Sequence, residues 1–230
     1  MYTTAPGTPD AYLYSPAFAQ AVWPLAQLPW TIFVLLCTVG LGAGLAWLLK
    51  PLGWKWGFPL WLAGLPEIIS GNIFILMAMV AVAGFSRPES WAFVALTKIT
   101  PCVGPVWFLV RGEWANLARA SITIAIIIGL SAGFAPGLWH EWFVFLINHF
   151  GESTGPIGSP FMPPPAVRIP IGIALVAWGA LRDKRWCVPV AMVLCTPVLW
   201  LGSFTLLAAL PRIHAAQREN VEESALDSGV

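Results

Sequence analysis

Apolar runs of about twenty residues decide what this chain can fold into. A helix of about twenty residues crosses a ~30 Å hydrocarbon core, and inside that core a single segment satisfies its own backbone only as a helix. Such runs lie at 30–49, 56–85, 91–110, 117–135, 167–181 and 186–210. The chain is 58% hydrophobic and 10% charged, with a mean hydropathy of +0.75; an ordinary soluble domain is about 25% charged. The expectation is an all-α, polytopic transmembrane helix bundle. It forms one domain over 1–213, followed by a polar, acidic, disordered cytoplasmic tail over 214–230. The 14 Trp suit the membrane–water boundary. A net charge of +1 leaves no basic face for nucleic acid.

Two runs are too long for one straight span and carry breakers. "GLPEIISGN" interrupts 56–85, and Pro197 and Gly202 interrupt 186–210. Broken helices at membrane depth must face protein or water, so both breaks are candidate cavity walls. Nine of the 12 Lys and Arg fall in four clusters: Lys50/Lys55, Arg111/Arg119, Arg182/Lys184/Arg185 and Arg212/Arg218. With all four inside, the lead-in 1–29, the turn at 86–90 and the loop 136–166 fall outside. The run 186–210 must then go out and return as a short hairpin with its tip near 196–203; the alternative is a single span. "LWHEWFVFLINHF" has Trp139, Trp142, Phe143, Leu146 and Phe150 at helical spacing and predicts an amphipathic helix on the outer surface. "GPIGSPFMPPP" after it reads as a Pro-rich loop.

The polar exceptions are the candidate sites. Lys98 stands inside "WAFVALTKITPCVGPVWFLVRG", where an ammonium costs roughly 2.5–3.5 kcal/mol. Either it faces a cavity and holds a lipid phosphate or pyrophosphate, or it snorkels or pairs with a carboxylate such as Glu67. Pro101 would bend the helix toward that cavity. Glu67 and Asn72 flank the break in the second run; Asn72 either bonds into the cavity or caps the helix after it. Trp200 marks the tip of the late hairpin. Cys37, Cys102, Cys187 and Cys195 read as buried thiols. His140, Glu141 and His149 match no metal-ligand spacing, so no metal is expected. No phosphate loop or nucleophile motif is present.

"YLYSPAFAQAVWPLAQLPW", "SGNIFILMAMVAVAGF", "ALTKITPCVGPVWFLVRGEW" and "GFAPGLWHEWFVFL" follow one another in an order that resembles glycosyltransferase family 87, over roughly 12–210. The resemblance implies a GT-C-type membrane hexosyltransferase in a bacterial plasma membrane, crossing it several times. It implies a polyprenyl-phosphate-linked sugar donor, mannose or another hexose, a glycolipid or glycan acceptor on the extracytoplasmic side, and no cofactor. In that family the catalytic aspartate stands in a loop after a first transmembrane helix, well ahead of the Tyr-Ser-Pro element. Asp10 is not at that position, and Met1 comes only a few residues before the element. A late-hairpin element rich in histidine is replaced here by Thr196, Pro197 and Trp200. The expectation is therefore a misplaced start or a truncated relative, with the catalytic residue unknown and Lys98, Glu67, Asn72 and Trp200 as substrate-binding candidates. A non-catalytic polyprenyl-lipid-binding protein or carrier is the alternative.

Overall fold

A computed structural model describes residues 2, 12–148, 163–197 and 199–227, and no strand occurs among them. The chain is all-α. In order come α1 (Pro16–Ala26), α2 (Trp30–Leu49), a 3₁₀ turn (Lys50–Leu52), α3 (Gly53–Ala63), α4 (Leu65–Ile69) and α5 (Phe74–Ala83). Next are α6 (Trp91–Thr97), α7 (Gly104–Arg111), α8 (Trp114–Phe134) and α9 (Pro136–Asn148). Last are α10 (Pro165–Leu181), α11 (Cys187–Leu194), a 3₁₀ segment (Leu201–Ala209) and α12 (Leu210–Asp227).

Two stretches, Trp30–Ala63 and Trp114–Phe134, are long and apolar enough to cross a membrane. α8 buries almost nothing of its own; Ile122, Ile126 and Leu130 stand exposed on one face at a four-residue spacing. In water such a stripe would be a liability, but in lipid it needs no protein partner. The main core gathers Leu45, Leu48, Phe74, Ile75, Met77, Trp91, Trp107, Phe108, Met192 and Leu206. A second cluster joins α1, α6 and α9 through Ala17, Leu96, Trp139 and Trp142. On α9 the buried face is Trp139, Trp142 and Phe145, while Phe143 is exposed. His149, Phe150 and the Pro-rich loop lie outside the described residues.

The basic clusters meet at one end. Arg111 bonds Glu113 at 2.6 Å, Asp183 at 3.3 Å and the Ala180 carbonyl at 3.1 Å. Gln217 donates to the Asp183 carbonyl at 3.0 Å, and Arg212 to the Trp47 carbonyl at 2.7 Å. So 47–53, 111–113, 180–185 and 212–218 share a face. α10 and α11 run antiparallel, with Gly179 against Cys187 and Gly172 against Cys195. The run 186–210 is thus a hairpin, with its tip near 195–200.

Two expectations about direction change. The turn at 86–90, placed opposite the basic clusters by hydropathy, sits with them. Arg185 lies over the Phe85 ring at 5.1 Å, Phe85 meets Trp107 edge-on at 5.2 Å, and Arg119 bonds Glu89 at 2.6 Å. The reason is a reversal at 70–73. α3 and α4 pack antiparallel to α2, with Gly64 against Leu45 and Ile68 near Gly42; α5 then folds back so that Ile75 and Met79 face Gly44. The run 56–85 is therefore two arms rather than one broken span. Counting Arg87, ten of the 12 Lys and Arg lie toward this end; the exceptions are Lys98 and Arg168.

The chain after His214 also differs from expectation, because α12 continues through Asp227. Ala215, Ala216, Gln217, Arg218 and Glu219 are good helix formers, and Arg218 has Glu222 four residues on. Polarity alone argued for disorder, and it is compatible with a solvated helix.

Candidate functional site

Lys98 ends a helix rather than sitting within one. α6 stops at Thr97, and Lys98 is extended at φ −138°, ψ 104°. The chain then doubles back over 98–103: the Cys102 thiol reaches the Trp91 carbonyl at 3.7 Å, and Gly104 packs on the Trp91 ring. α7 carries it on to the basic end. The apolar run 91–110 is a short re-entrant helix and loop followed by a second helix. Pro101 does more than bend it. Pro101 has no N–H and disfavours helix at Thr100, so the ladder fails here. The Tyr-Ser-Pro element holds the end of this helix. Ser15 caps α1, accepting from the Phe18 N–H, with Pro16 in its first turn. Its hydroxyl donates to the Leu96 carbonyl at 2.6 Å, across 81 residues of sequence.

Glu67 is 5% exposed, on α4 at the tip of the α4–α5 reversal. Gly71 adopts φ +67°, and the Asn72 N–H bonds back to the Glu67 carbonyl at 3.1 Å. That is a left-handed helix stop, which a residue without Cβ makes at least cost. Asn72 therefore closes α4. It does not cap α5, whose start has no side-chain cap, and its amide side chain makes no hydrogen bond among the described residues.

The late hairpin completes the corner. Glu67 Oε1 lies against Gly202, and so does the Trp200 ring, so a Cβ on Gly202 would collide with both. Trp200 itself is 42% exposed. Lys98 Nζ stands 3.8 Å from the centre of the Phe74 ring, at the first turn of α5. Glu67 is the carboxyl whose charge acts on Lys98, yet the two do not close to an ion pair within 4.0 Å. Among the described residues Lys98 makes no side-chain hydrogen bond. Glu67 Oε2 is buried with no partner, and so is Thr100 Oγ1, two residues past Lys98.

Lys98, Glu67, Asn72 and Trp200 were each singled out from sequence. The structure links Glu67 and Trp200 through Gly202, Asn72 to Glu67 through the backbone, and Lys98 to Glu67 by charge. Gly202 entered only as a helix breaker; Phe74 and Thr100 were missed, though they lie in the "SGNIFILMAMVAVAGF" and "ALTKITPCVGPVWFLVRGEW" stretches. The corner offers an ammonium with three free donors beside a carboxylate oxygen and an amide in want of partners. That set suits a molecule with an anionic group and hydroxyls. Among the described residues no three His, Cys, Asp or Glu group to hold a metal. A cleft of about 510 Å³ lies elsewhere, at the basic end between Pro51, Leu52, Pro211, His214 and Arg218.

The fold is all-helical, with two stretches long and apolar enough to cross a membrane and a polar corner at Lys98 and Glu67. Residues 12–226 match the model of glycosyltransferase family 87. The chain belongs to that family, one of membrane glycosyltransferases. No curated protein and no solved structure matches it.

Proposed function

We propose that this chain transfers a hexose, mannose by family resemblance, from a polyprenyl phosphate to a glycolipid or glycan acceptor. The basic end is cytoplasmic by the positive-inside rule. The Lys98 corner then opens toward the extracytoplasmic side of a bacterial plasma membrane, which the chain crosses several times.

The observation that carries this reading is Lys98. Its ammonium stands on one aromatic ring at the end of a re-entrant helix, and its side chain makes no hydrogen bond or ion pair among the described residues. An intramembrane cation kept in that state awaits an anion. In the transfer, the C1–O bond to phosphate breaks and its electron pair stays on the phosphate oxygen. The acceptor oxygen bonds C1 and gives its proton to a base. Lys98 would stabilise the charge that develops on the leaving phosphate. Glu67 Oε2 and Asn72 would take sugar hydroxyls, and Trp200 would line the entrance for the lipid-linked sugar.

The test is to reconstitute the chain in vesicles with radiolabelled polyprenyl-phosphate mannose and a bacterial total-lipid extract. Label in a new glycolipid, with loss of transfer in Lys98→Met, is the expected result. Absence of both donor binding and transfer would contradict the proposal.

A further inference from the structure

Arg168 is the other cation away from the basic end. It is 5% exposed and near the start of α10, about 20 Å along that helix from the basic turn. Its Nε donates to the Pro163 carbonyl at 2.8 Å. Nη1 donates to the carbonyls of Leu194 at 2.8 Å and Thr196 at 2.9 Å, and Nη2 to Pro197 at 3.1 Å. Four of a guanidinium's five N–H groups are thus taken by backbone, and no carboxylate among the described residues pairs with it. Leu194 ends α11, so its carbonyl has no partner within the helix, and a cation there is favoured by the helix dipole.

Burying an arginine is an expensive way to end a helix. What it gains is placement of the hairpin tip. The carbonyls it gathers belong to the residues just before Trp200 and Gly202, and Gly202 is the residue seated on Glu67 Oε1. We infer that Arg168 is a positioning residue for the site: by gripping 194–197 it sets Trp200 and Gly202 over Glu67. It acts only through the hairpin. Lysine cannot substitute, because a point donor on a flexible stem does not reproduce a planar fork that spans four carbonyls. This inference rests on reading the Lys98–Glu67 corner as the donor site.

The experiment uses the full chain in phospholipid nanodiscs with 5-fluorotryptophan. The Trp200 resonance is assigned by its loss in Trp200→Phe, and a polyprenyl phosphate is the binding probe. Arg168→Lys, measured well below its melting temperature, should move the Trp200 resonance and weaken probe binding by roughly ten- to a hundredfold. Gly202→Ala, with Arg168 intact, should move the same resonance and weaken binding too. The double variant should bind no worse than the poorer single one, since both act on one contact. If Arg168→Lys lowers the melting temperature but leaves resonance and affinity as in the unaltered protein, Arg168 is merely structural and the inference fails. If the unaltered protein does not bind the probe, the donor-site reading fails instead. The Trp200 resonance then decides alone: moved in Arg168→Lys it upholds positioning, unmoved it overturns it.

Discussion

Lys98 and Arg168 are the two cations that the fold carries away from its basic end, and they are kept in opposite states. Arg168 is nearly saturated: four of its five N–H groups donate to backbone carbonyls. Lys98 is not: it stands on the Phe74 ring, and its ammonium makes no hydrogen bond among the described residues. The contrast teaches that a buried charge is not in itself a functional signal. Arg168, with four of its five N–H groups occupied, ties the hairpin tip to α10, whereas the half-buried Lys98 ammonium keeps its donors unused among the described residues.

The contrast predicts opposite responses to neutral replacement. Arg168→Met strands several carbonyls at once, at about 1–3 kcal/mol each. The carbonyls of Thr196 and Leu194 are the ones kept from water, so a loss of at least about 2 kcal/mol follows even at the low end, read as a clear drop in melting temperature. Equal stability in Arg168→Met would erase the distinction between the two cations. Next in size is Trp200→Ala. It should weaken polyprenyl-phosphate binding by roughly two- to tenfold, in line with an aromatic contact of ~0.5–1.5 kcal/mol, and leave the melting temperature within a few degrees. Unchanged affinity would remove Trp200 from the site.

Ser15→Ala comes third. It removes a helix cap worth about 1 kcal/mol and leaves the Leu96 carbonyl, beside the Lys98 loop, with only the longer bond from the Ser15 N–H at 3.3 Å. Amide exchange at 96–103 should quicken more than in α8; uniform exchange would show that Ser15 does not hold the loop. The smallest effect is expected at Glu89. Its own backbone N–H, then the hydrogen bond from Arg119, hold its carboxyl below the usual carboxylate range. A depressed pKa contributes stability above the ordinary value that is lost as pH falls through the folded one. Glu89→Gln should therefore lower the melting temperature slightly at pH 7 and converge with the unaltered protein in acid. A gap that widens in acid would contradict the pairing.

Much of this was legible from residues alone. The all-α class, the late hairpin, the break at "GLPEIISGN" and the corner residues Lys98, Glu67, Asn72 and Trp200 all came from hydropathy, breakers and isolated charges. Direction did not. Hydropathy counts apolar length, and a reversal inside a run leaves length unchanged. The turn at 70–73 did carry its signal, since Gly71-Asn72 is a helix-stop pair, but the break it makes was placed inside one crossing. Taking 56–85 as one span put the 86–90 turn and Arg87 at the wrong end. A cysteine at Arg87 should be labelled by a membrane-impermeant thiol reagent only from the cytoplasmic side. Labelling from outside would restore the single-span reading. Arg168 was missed because it stands at the edge of an apolar run, where a cation ordinarily snorkels. Only the return of 194–197 to meet it shows that it is buried.

The central claim is that Lys98 serves a ligand and not the fold, and Lys98→Met tests it most directly when melting temperature and polyprenyl-phosphate affinity are measured on the same sample. Removing the ammonium should leave the melting temperature equal or higher, because a half-buried charge without a hydrogen-bond partner disappears. Affinity should fall roughly ten- to a hundredfold, the ~1.5–3 kcal/mol of a hydrogen bond to a charged group. A lower melting temperature, recovered in the double variant with Glu67→Gln and accompanied by unchanged affinity in the folded protein, would make Lys98 a structural partner of Glu67 and contradict the claim.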